Sequence, residues 1–278
     1  MSGIGPISSM RRYRRPAHRR VLALTVQARE QLSPHFVSLT LAGDDVRHLE
    51  PAGYDQWGRF FIPGPGQDEI VLPHGERWML QNGRQPASVR PRVRSYTISR
   101  IHPDQRAFEV EIAIHETAPG QKPAPGSTWA LTAQPGDRVG FLDEGRQYAP
   151  TSDAKWQLLI GDESALPAIL AILERSAALP AEAFLEVPAE EDVRHTFAAP
   201  AGTDLHWLPR NDPAVRPGTL ALQTVKDAVL PNGPFYTWTA GESALPTGVR
   251  RHLVSDLGIA KASIDFIGYW RQGRASLG

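Results

Sequence analysis

The first half of the chain alternates apolar and polar residues with a period of two, which is typical of β-strands. The clearest case is the segment 108–114, Phe-Glu-Val-Glu-Ile-Ala-Ile. The same pattern occurs at residues 21–27, 36–41, 59–63 and 92–99, and a turn at 134–139 leads into another strand. Because many short strands joined by Gly- and Pro-rich turns pack best as a closed sheet, this half predicts an antiparallel β-barrel.

The pattern changes around residues 145–155, whose Gly, Pro, Ser and Asp content is typical of a domain linker. A compact apolar strand at 156–160 is followed by a predicted helix over 165–177. Further strands are predicted at 184–187, 205–208, 235–239 and 263–267, and further helices at 220–229 and 245–257. This alternation predicts a parallel sheet with crossover helices. We therefore expect a basic N-terminal tail (1–20), a β-barrel domain (21–149) and an α/β domain (150–278).

Composition narrows the classes of function. The chain has 278 residues, enough for two cores, and its 30 Lys and Arg residues balance its 30 Asp and Glu residues. A net charge of zero gives no general attraction to nucleic acid. The absence of cysteine excludes disulfides, thiolate nucleophiles and cysteine-ligated iron–sulfur clusters. If the protein transfers electrons, a non-covalent organic cofactor must carry them, and we expect no resident metal.

The sequence also indicates where the protein works. No apolar run approaches the roughly 20 residues of a membrane-spanning helix, so an integral membrane protein is not expected. No apolar stretch of signal-peptide type follows the N-terminal charges, so a cytoplasmic location is the default expectation. The arginines among residues 11–20 are interpreted as a mobile, solvated tail, with a basic arm for an anionic ligand or membrane surface as the alternative. A monomer is compatible with these features.

A cluster of residues in the predicted strand at 92–99 suits a flavin. Arg94 can grip a phosphate with a planar fork of donors. Strand alternation places Arg94 and Tyr96 on one face and Ser95 and Thr97 on the other. A tyrosine ring can lie along an isoalloxazine ring, and a threonine can hydrogen-bond the flavin edge. The alternative interpretation is an ordinary exposed strand.

Three further segments narrow the interpretation. Residues 161–169 read G-D-E-S-A-L-P-A-I, residues 238–242 read W-T-A-G-E, and residues 268–273 read G-Y-W-R-Q-G. Together with the R-S-Y-T cluster at 94–97, they resemble, in the same order, the signatures of siderophore-interacting proteins, which are flavoproteins similar to ferredoxin reductases. Each signature is weak alone, but their combination and order span most of the chain.

The resemblance implies an FAD-dependent ferric-siderophore reductase that uses NADPH or NADH. In such a protein Arg94 contacts FAD phosphate or ribityl oxygens, Tyr96 packs on the flavin ring, and Thr97 lies near its reactive edge. Tyr96 and Thr97 are therefore the catalytic candidates, and Ser95 belongs to the same cofactor-binding strand. The family's pyrophosphate-binding segment corresponds here to His115, Gly126, Ser127, Thr128 and Trp129. Residues 126–128 are expected to form a turn whose N–H groups and hydroxyls face phosphate, although an insertion at 118–125 departs from the family pattern.

The α/β half lacks the G-x-G-x-x-G turn that binds phosphate in many dinucleotide-binding domains. The resemblance implies that the residues binding the cofactor near its nicotinamide are Asp162, Glu163, Ser164 and Glu242. Considered alone, these acids suit simple helix capping. NADPH is our choice over NADH by a narrow margin. Its 2′-phosphate requires a cation, and Arg194 and Arg210 are candidates by position.

The substrate site is predicted from positive charge. Many ferric siderophores are anionic, and a cationic mouth near the flavin would attract them. The family's cationic positions correspond to Arg59, where the family has lysine, and to Arg271. Arginine keeps the charge but changes the geometry of the contact. The alternative for each is a solvated surface arginine.

Three hypotheses follow for the whole chain. The first is an NAD(P)H-dependent ferric-siderophore reductase that releases Fe(II) for cytoplasmic iron assimilation. The second is an NAD(P)H:flavin oxidoreductase of the same superfamily with another electron acceptor, such as a quinone or a protein. The third is a non-redox protein that binds iron chelates. Bleaching of a bound flavin by NAD(P)H would exclude the third hypothesis, and iron release from a ferric chelate would separate the first from the second.

Overall fold

The computed structural model describes residues 13–115, 124–176 and 178–273. These residues group into two compact units. The first comprises Arg15–Ala52 and Gln56–Gly145, and the second comprises Gly53–Asp55 together with the chain from Arg146. The sequence placed the boundary at 149/150, a few residues later, and gave no sign that Gly53–Asp55 belongs with the C-terminal unit.

The N-terminal unit is a curved antiparallel sheet whose strand order, within the described residues, is β4-β3-β7-β1-β2-β6-β5. Two short helices accompany the sheet. The elements are β1 (Val21–Ser33), β2 (Phe36–Ala42), β3 (Trp57–Ile62), α1 (Trp78–Arg84), β4 (Arg92–Thr97), β5 (Arg100–His102), β6 (Ala107–Ala113), α2 (Pro125–Thr132) and β7 (Arg138–Gly145).

One bent stretch of chain closes this sheet into a barrel. The strands at the two ends of the order, β4 and β5, are separated only by Ile98 and Ser99. The Ser99 N–H donates to the carbonyl of Glu109 in β6, and the Ile98 N–H donates to the carbonyl of Gln56. Apolar residues from β1, β2, β3, β6 and β7 fill the interior, and α2 contributes Trp129 to the same core. The period-two pattern produced this arrangement because alternate residues face inward.

The C-terminal unit contains a parallel sheet of order β10-β9-β8-β11-β12 in its described part. Its elements are β8 (Trp156–Gly161), α3 (Leu166–Arg175), β9 (Ala181–Val187), β10 (Asp204–Pro209), α4 (Thr219–Asp227), β11 (Phe235–Glu242), α5 (Ala244–Ser255) and β12 (Ile264–Trp270). The central strand β8 and its neighbour β11 are buried along their whole length, as expected for a parallel sheet covered on both faces.

The predicted fold class is confirmed: an antiparallel β-barrel domain is followed by an α/β domain with a parallel sheet. The sequence analysis did not predict the short helices α1 and α2, and it predicted a turn where α2 begins. Part of the predicted tail (residues 1–12), most of the predicted insertion (118–123) and the predicted helix end at residue 177 lie outside the described residues. Among the described residues, no helix is both long enough and apolar enough to cross a membrane.

Gly53–Asp55 is held in the C-terminal unit by the carboxylate of Asp55. This buried carboxylate accepts N–H groups from Gln147 and Tyr148, and the Trp238 indole donates to it at 3.0 Å. Burial raises the pKa of Asp55 to about 6, despite these hydrogen bonds, because the charged form loses its hydration. The three donors explain why a polar residue is tolerated at this depth.

Candidate functional site

The strand β4 places the predicted flavin residues on two faces, as strand alternation requires. In the antiparallel pairing with β3, Arg94 lies opposite Phe60, whose ring packs edge-on against Tyr96 at 5.5 Å. Arg94 and Tyr96 therefore share the core-side face of the strand. On the other face, Ser95 is exposed and Thr97 is buried.

The start of α2 lies against the Arg94 and Tyr96 face. A Cβ atom added to Gly126 would lie 2.0 Å from the Tyr96 hydroxyl oxygen and 3.8 Å from Arg94 Cγ. The backbone N–H of His115 donates to Ser127 Oγ at 3.3 Å. The structure thus brings together five predicted residues from three separate segments of the sequence.

The expected turn at residues 126–128 is wrong in its local structure, because these residues form the first turn of a helix that begins at Pro125. Proline is favourable at this position, since the N–H groups of a first helical turn have no intrahelical acceptor. Thr128 uses both its N–H and its hydroxyl on the Ala124 carbonyl, at 2.9 and 3.2 Å. Trp129, only 5 % exposed, packs into the barrel core and anchors the helix.

The electrostatics of this face suit an anion. Burial lowers the pKa of Arg94, although the guanidinium remains charged at any ordinary pH. Arg94 donates to the Val93 carbonyl at 2.6 Å, and no carboxylate in the described part of the chain lies within salt-bridge distance of it. A half-buried, unneutralised guanidinium beside the first turn of a helix is favourable for a phosphate. Burial raises the pKa of Tyr96 to about 12, so its hydroxyl stays protonated.

In the C-terminal unit, the three sequence signatures converge at the carboxyl edge of the parallel sheet. The fully buried carboxylate of Asp162, just after β8, accepts the N–H of Glu242 at 2.5 Å and the indole N–H of Trp270 at 3.3 Å. Ser164 donates to the same carboxylate through its N–H and its hydroxyl. The carbonyl of Trp270 in turn accepts the N–H and the hydroxyl of Ser243.

Burial and the nearby Glu163 carboxylate raise the pKa of Asp162 well above its ordinary value, although hydrogen bonds from Ser164 and from the Glu242 N–H oppose this. Asp162 therefore acts as the hub that holds the ends of β8, β11 and β12 together. Its predicted role beside the nicotinamide stays a prediction.

Buried acids also cap the helices at this edge. Glu242 accepts the Ala244 N–H at the start of α5. Burial alone would raise the pKa of Glu242, but hydrogen bonds from Arg216 and from the N–H groups of Ala244 and Gln272 hold it below its ordinary value. At the start of α4, the buried carboxylate of Glu186 accepts N–H groups from Gly218 and Ala221, each at 2.8 Å.

Arg210, which the sequence analysis offered for the 2′-phosphate, contacts two buried carboxylates, and its buried Nε has no hydrogen-bond partner within the described residues. Its guanidinium contacts Glu163 at 2.8 and 3.2 Å and Glu186 at 2.8 Å. The exposed fractions of the three side chains are 7 %, 2 % and 0 %. Although burial opposes its charge, the two carboxylates raise the pKa of Arg210. This expectation is therefore corrected: Arg210 neutralises buried acids. Arg194, half-buried, stays a candidate.

The predicted substrate arginines differ in their surroundings. Arg271 is exposed and directly follows β12 in the C-terminal unit. In the barrel unit, Arg59 pairs across the strands with Ser95, and its neighbour Trp57 pairs with Thr97. Arg59 donates to Glu144 at 2.7 Å, so it is not a simple solvated arginine.

Sequence reasoning missed Glu144, Glu186 and Arg216. Glu186 carries a detectable signal, because an acid inside the apolar strand Phe-Leu-Glu-Val must find partners when the strand is buried. Arg216 contacts Glu242 at 2.6 Å, but nothing near it in the sequence indicates this pairing. No cluster of three or more His, Asp or Glu residues suited to a metal ion occurs in the ranges that the structure describes.

Comparisons with known proteins cover both units of the chain. The model of the siderophore-interacting FAD-binding domain matches residues 25–148, and that of the siderophore-interacting protein matches residues 154–273. An uncharacterized protein of Mycobacterium tuberculosis is 31% identical over 274 residues, which cover 94% of this chain and 92% of that protein. The ferric vibriobactin reductase of Vibrio cholerae is 27% identical over 254 residues, 88% of each chain. The crystal structure of a siderophore utilization protein from T. fusca superposes with a TM-score of 0.79 at 29% identity, covering 94% of this chain and 96% of that one. The chain therefore belongs to the siderophore-interacting protein family.

Proposed function

We propose that this protein is a cytoplasmic, FAD-dependent reductase that passes electrons from NADPH or NADH to a ferric siderophore and thereby releases Fe(II). The observation that carries the proposal is the guanidinium of Arg94, which has no carboxylate partner among the described residues and lies with Tyr96 against the first turn of α2. Similarity to the ferric vibriobactin reductase of Vibrio cholerae supports the choice of substrate class.

The barrel supplies the groups that would hold FAD. Arg94 and the N–H groups at the start of α2 suit its phosphates, and Tyr96 offers an aromatic face. Thr97 and Ser95 lie on the opposite face of the same strand. These side chains and N–H groups have the chemistry that FAD requires, as the sequence analysis expected.

The proposed reaction joins a donor that gives two electrons together to an acceptor that takes them one at a time. Nicotinamide gives two electrons as a hydride, whereas each Fe(III) accepts one, so one NAD(P)H reduces two ferric chelates. The chemistry that FAD supplies when bound is this conversion from two-electron to one-electron transfer. Hard oxygen ligands hold Fe(II) less tightly than Fe(III), so reduction favours release of the metal.

The position of Arg59 supports the proposed substrate site. Its cross-strand partner is Ser95, and Trp57 pairs with Thr97, so these side chains neighbour the predicted flavin residues on the outward face of the sheet. Arg271 offers a second, exposed cation in the C-terminal unit. We propose NADPH as the electron donor, with Arg194 as the residue that binds its 2′-phosphate.

The decisive experiment measures both half-reactions on the purified holoprotein. Stopped-flow absorbance follows bleaching of the flavin by NADPH and by NADH, and a ferric tris-catecholate is then mixed with the reduced protein while an Fe(II) chelator reports iron release. We expect bleaching, followed by reoxidation coupled to two Fe(II) per NAD(P)H. Bleaching without reoxidation by any ferric chelate, but with reoxidation by a quinone, would identify a general flavin reductase. A protein that binds chelates and shows no bleaching would be a non-redox binder.

Replacement of Arg94 tests the flavin site itself. Arg94→Ala removes a charge-assisted phosphate contact, which contributes roughly 1.5–3 kcal/mol, so FAD affinity is expected to fall by about one to two decades. The measurement is a fluorescence titration of apoprotein with FAD. The matched control is Arg92→Ala, because Arg92 lies on the same strand face but is exposed. Equal affinities of the Arg94→Ala and Arg92→Ala proteins would remove Arg94 from the phosphate site.

Replacement of Gly126 tests the contact between α2 and β4. The methyl group of Gly126→Ala would overlap the Tyr96 hydroxyl, so either the Tyr96 ring or the start of α2 must move. We expect a loss of about 1–3 kcal/mol in barrel stability from overpacking, together with weaker FAD binding. The control is Gly83→Ala in α1, where nothing lies within 4 Å of the new methyl group. A Gly126→Ala protein with normal FAD affinity would contradict the assignment of this helix start to the cofactor.

A further inference from the structure

The Arg59 guanidinium lies between two tryptophan rings on the outward face of β3. Its Cζ atom is 5.7 Å from the ring centroid of Trp57, on the same strand, and 5.1 Å from that of Trp78, at the start of α1. Both distances are within the range of cation–π attraction. Trp78 also packs edge-on against Phe61 at 5.5 Å. The orientation of Arg59 therefore depends on α1 staying in place beside the strand.

A buried carboxylate fixes the other side of the same guanidinium. Glu144, near the end of β7, is 3 % exposed. One of its oxygens accepts from Arg59 Nε at 2.7 Å, and the other accepts from Arg19 Nη2 at 2.7 Å. Since Arg59 and Arg19 use different oxygens, the carboxylate is held from both sides and cannot rotate away from Arg59 without losing the second ion pair.

Arg19 connects this carboxylate to the segment that carries Trp78. Its Nη1 atom contacts Glu76 at 3.2 Å, its Nε donates to the Asp143 carbonyl at 3.4 Å, and its side chain is only 9 % exposed. Glu76 lies two residues before Trp78. Arg19 thus holds one partner of Arg59, the Glu144 carboxylate, directly, and it contacts the exposed Glu76 in the segment that carries the other partner, Trp78. This differs from the solvated tail expected for residues 1–20, of which residues 1–12 lie outside the described structure.

We infer that Arg19 and Glu144 are positioning residues for the ferric chelate, because they hold the Arg59 guanidinium between Trp57 and Trp78. The inference rests on the proposed function, in which Arg59 contacts the chelate. The two arginines and the two acids, Glu144 and Glu76, have a net charge of zero. Long-range attraction by this cluster is therefore weak, and its contribution to binding comes from the fixed orientation of one arginine.

The two substitutions have opposite effects on charge. Glu144→Gln makes the cluster more positive, so a purely electrostatic role predicts tighter binding of an anionic chelate. Positioning predicts weaker binding, because glutamine offers one acceptor oxygen, so its NH2 group faces one of the two arginines with a donor and the hold from both sides is lost. Arg19→Gln removes positive charge, and a purely electrostatic effect should disappear when screening shortens from about 10 Å at 0.1 M salt to about 3 Å at 1 M salt. Positioning predicts an effect that persists at 1 M.

The probe is the gallium(III) complex of a tris-catecholate, because Ga(III) is not reduced and binding is measured without turnover. Its Kd for the FAD-loaded protein is determined by tryptophan fluorescence quenching at both salt concentrations. We expect both variants to raise this Kd by about tenfold, in the range typical of residues coupled in one ion-pair network. Arg19→Lys, which retains the charge, should recover part of the affinity. Arg20→Gln is the control, since Arg20 is 52 % exposed and its pairing with Asp45 is long, at 3.8 Å.

Fluorine NMR of protein labelled with 5-fluorotryptophan reports the structural half of the inference directly. With the Trp57 and Trp78 resonances assigned from Trp57→Phe and Trp78→Phe variants, Arg19→Gln should shift these two signals and leave the other tryptophan signals in place. Tighter binding by Glu144→Gln, or wild-type affinity in both variants, would overturn the positioning role. If the wild-type protein binds no gallium chelate although its flavin is bleached by NAD(P)H, the proposed substrate fails instead, and Arg19 and Glu144 have no chelate to position.

Discussion

Replacing Arg210 by methionine is expected to lower the stability of the C-terminal unit by about 3–5 kcal/mol, the usual cost of breaking a buried ion pair by removing one partner. Methionine keeps much of the arginine stem's volume, so the loss comes from charge. Glu163 and Glu186 would remain in a site where both side chains are nearly inaccessible to water. Glu186 would keep its N–H donors at the start of α4, whereas Glu163 would lose both of its contacts with the guanidinium.

The loss should depend on pH in a defined direction. Without the guanidinium, the two carboxylates carry buried charge with no cation beside them, and protonation in acid removes that charge. The loss of stability is therefore expected to shrink as pH falls and to grow as pH rises. The Arg210→Met protein should therefore differ most from wild type near pH 8 and least near pH 5.

Hydrogen exchange of the amides in β9 measures this effect locally, without assuming that the two units unfold together. Arg251→Met is the control, because Arg251 is exposed on α5 in the same unit. The ratio of NADPH to NADH affinity should be unchanged, since the Arg210 side chain is 7 % exposed and its charge is already paired with Glu163 and Glu186. An Arg210→Met protein with wild-type stability and an altered ratio would restore Arg210 as the reader of the 2′-phosphate.

The fold was predictable because both units follow simple periodicities. Alternating segments such as 108–114 became strands whose apolar residues face the barrel interior, and the continuous apolar segment at 156–160 became a central parallel strand. The helices α1 and α2 were missed because each is no more than eight residues long, too short for a clear helical period. In α2, Pro125 and Gly126 are equally typical of a turn.

The site was predictable where its residues are close together in the sequence. It was not predictable where side chains pair with partners that are far away in the sequence. The cluster at 94–97 carries its own chemistry, whereas the partner of Arg59 is 85 residues away and that of Arg210 in β9 is 24 residues away. A sequence shows that an arginine is present, but it does not show which carboxylate faces it after folding. Its position in the sequence alone therefore suggested that Arg210 binds the 2′-phosphate of NADPH, although two buried acids already pair with its charge.

Gly241→Ala is the second substitution with a large expected effect, because it acts where the three C-terminal signatures meet. Gly241 has a φ of +138°, a conformation that side chains with a Cβ rarely adopt. A Cβ there would also lie 2.6 Å from Asp162 Cγ and 2.7–2.8 Å from its two carboxylate oxygens. The methyl group must displace the carboxylate that accepts the N–H of Glu242 and the indole N–H of Trp270.

Two costs combine in this variant. The unfavourable backbone contributes about 1–2 kcal/mol, and overpacking contributes about 1–3 kcal/mol, so a total loss of about 2–5 kcal/mol is expected in the stability of the sheet edge. Gly233→Ala separates these costs, because Gly233 has a φ of +101° but nothing lies within 4 Å of its added Cβ. The difference between the two variants measures the collision with Asp162.

Hydrogen exchange at the ends of β8, β11 and β12 provides the measurement. Gly241→Ala should speed exchange at all three strand ends together, since Asp162 joins them, whereas Gly233→Ala should act only near its own turn. Exchange that rises in β11 alone would show that Asp162 is not the hub of this edge. If the nicotinamide of the donor binds here, NAD(P)H should bleach the flavin of Gly241→Ala more slowly while FAD remains bound to the barrel. The rate of flavin bleaching and the FAD content therefore distinguish damage at this edge from damage to the flavin site.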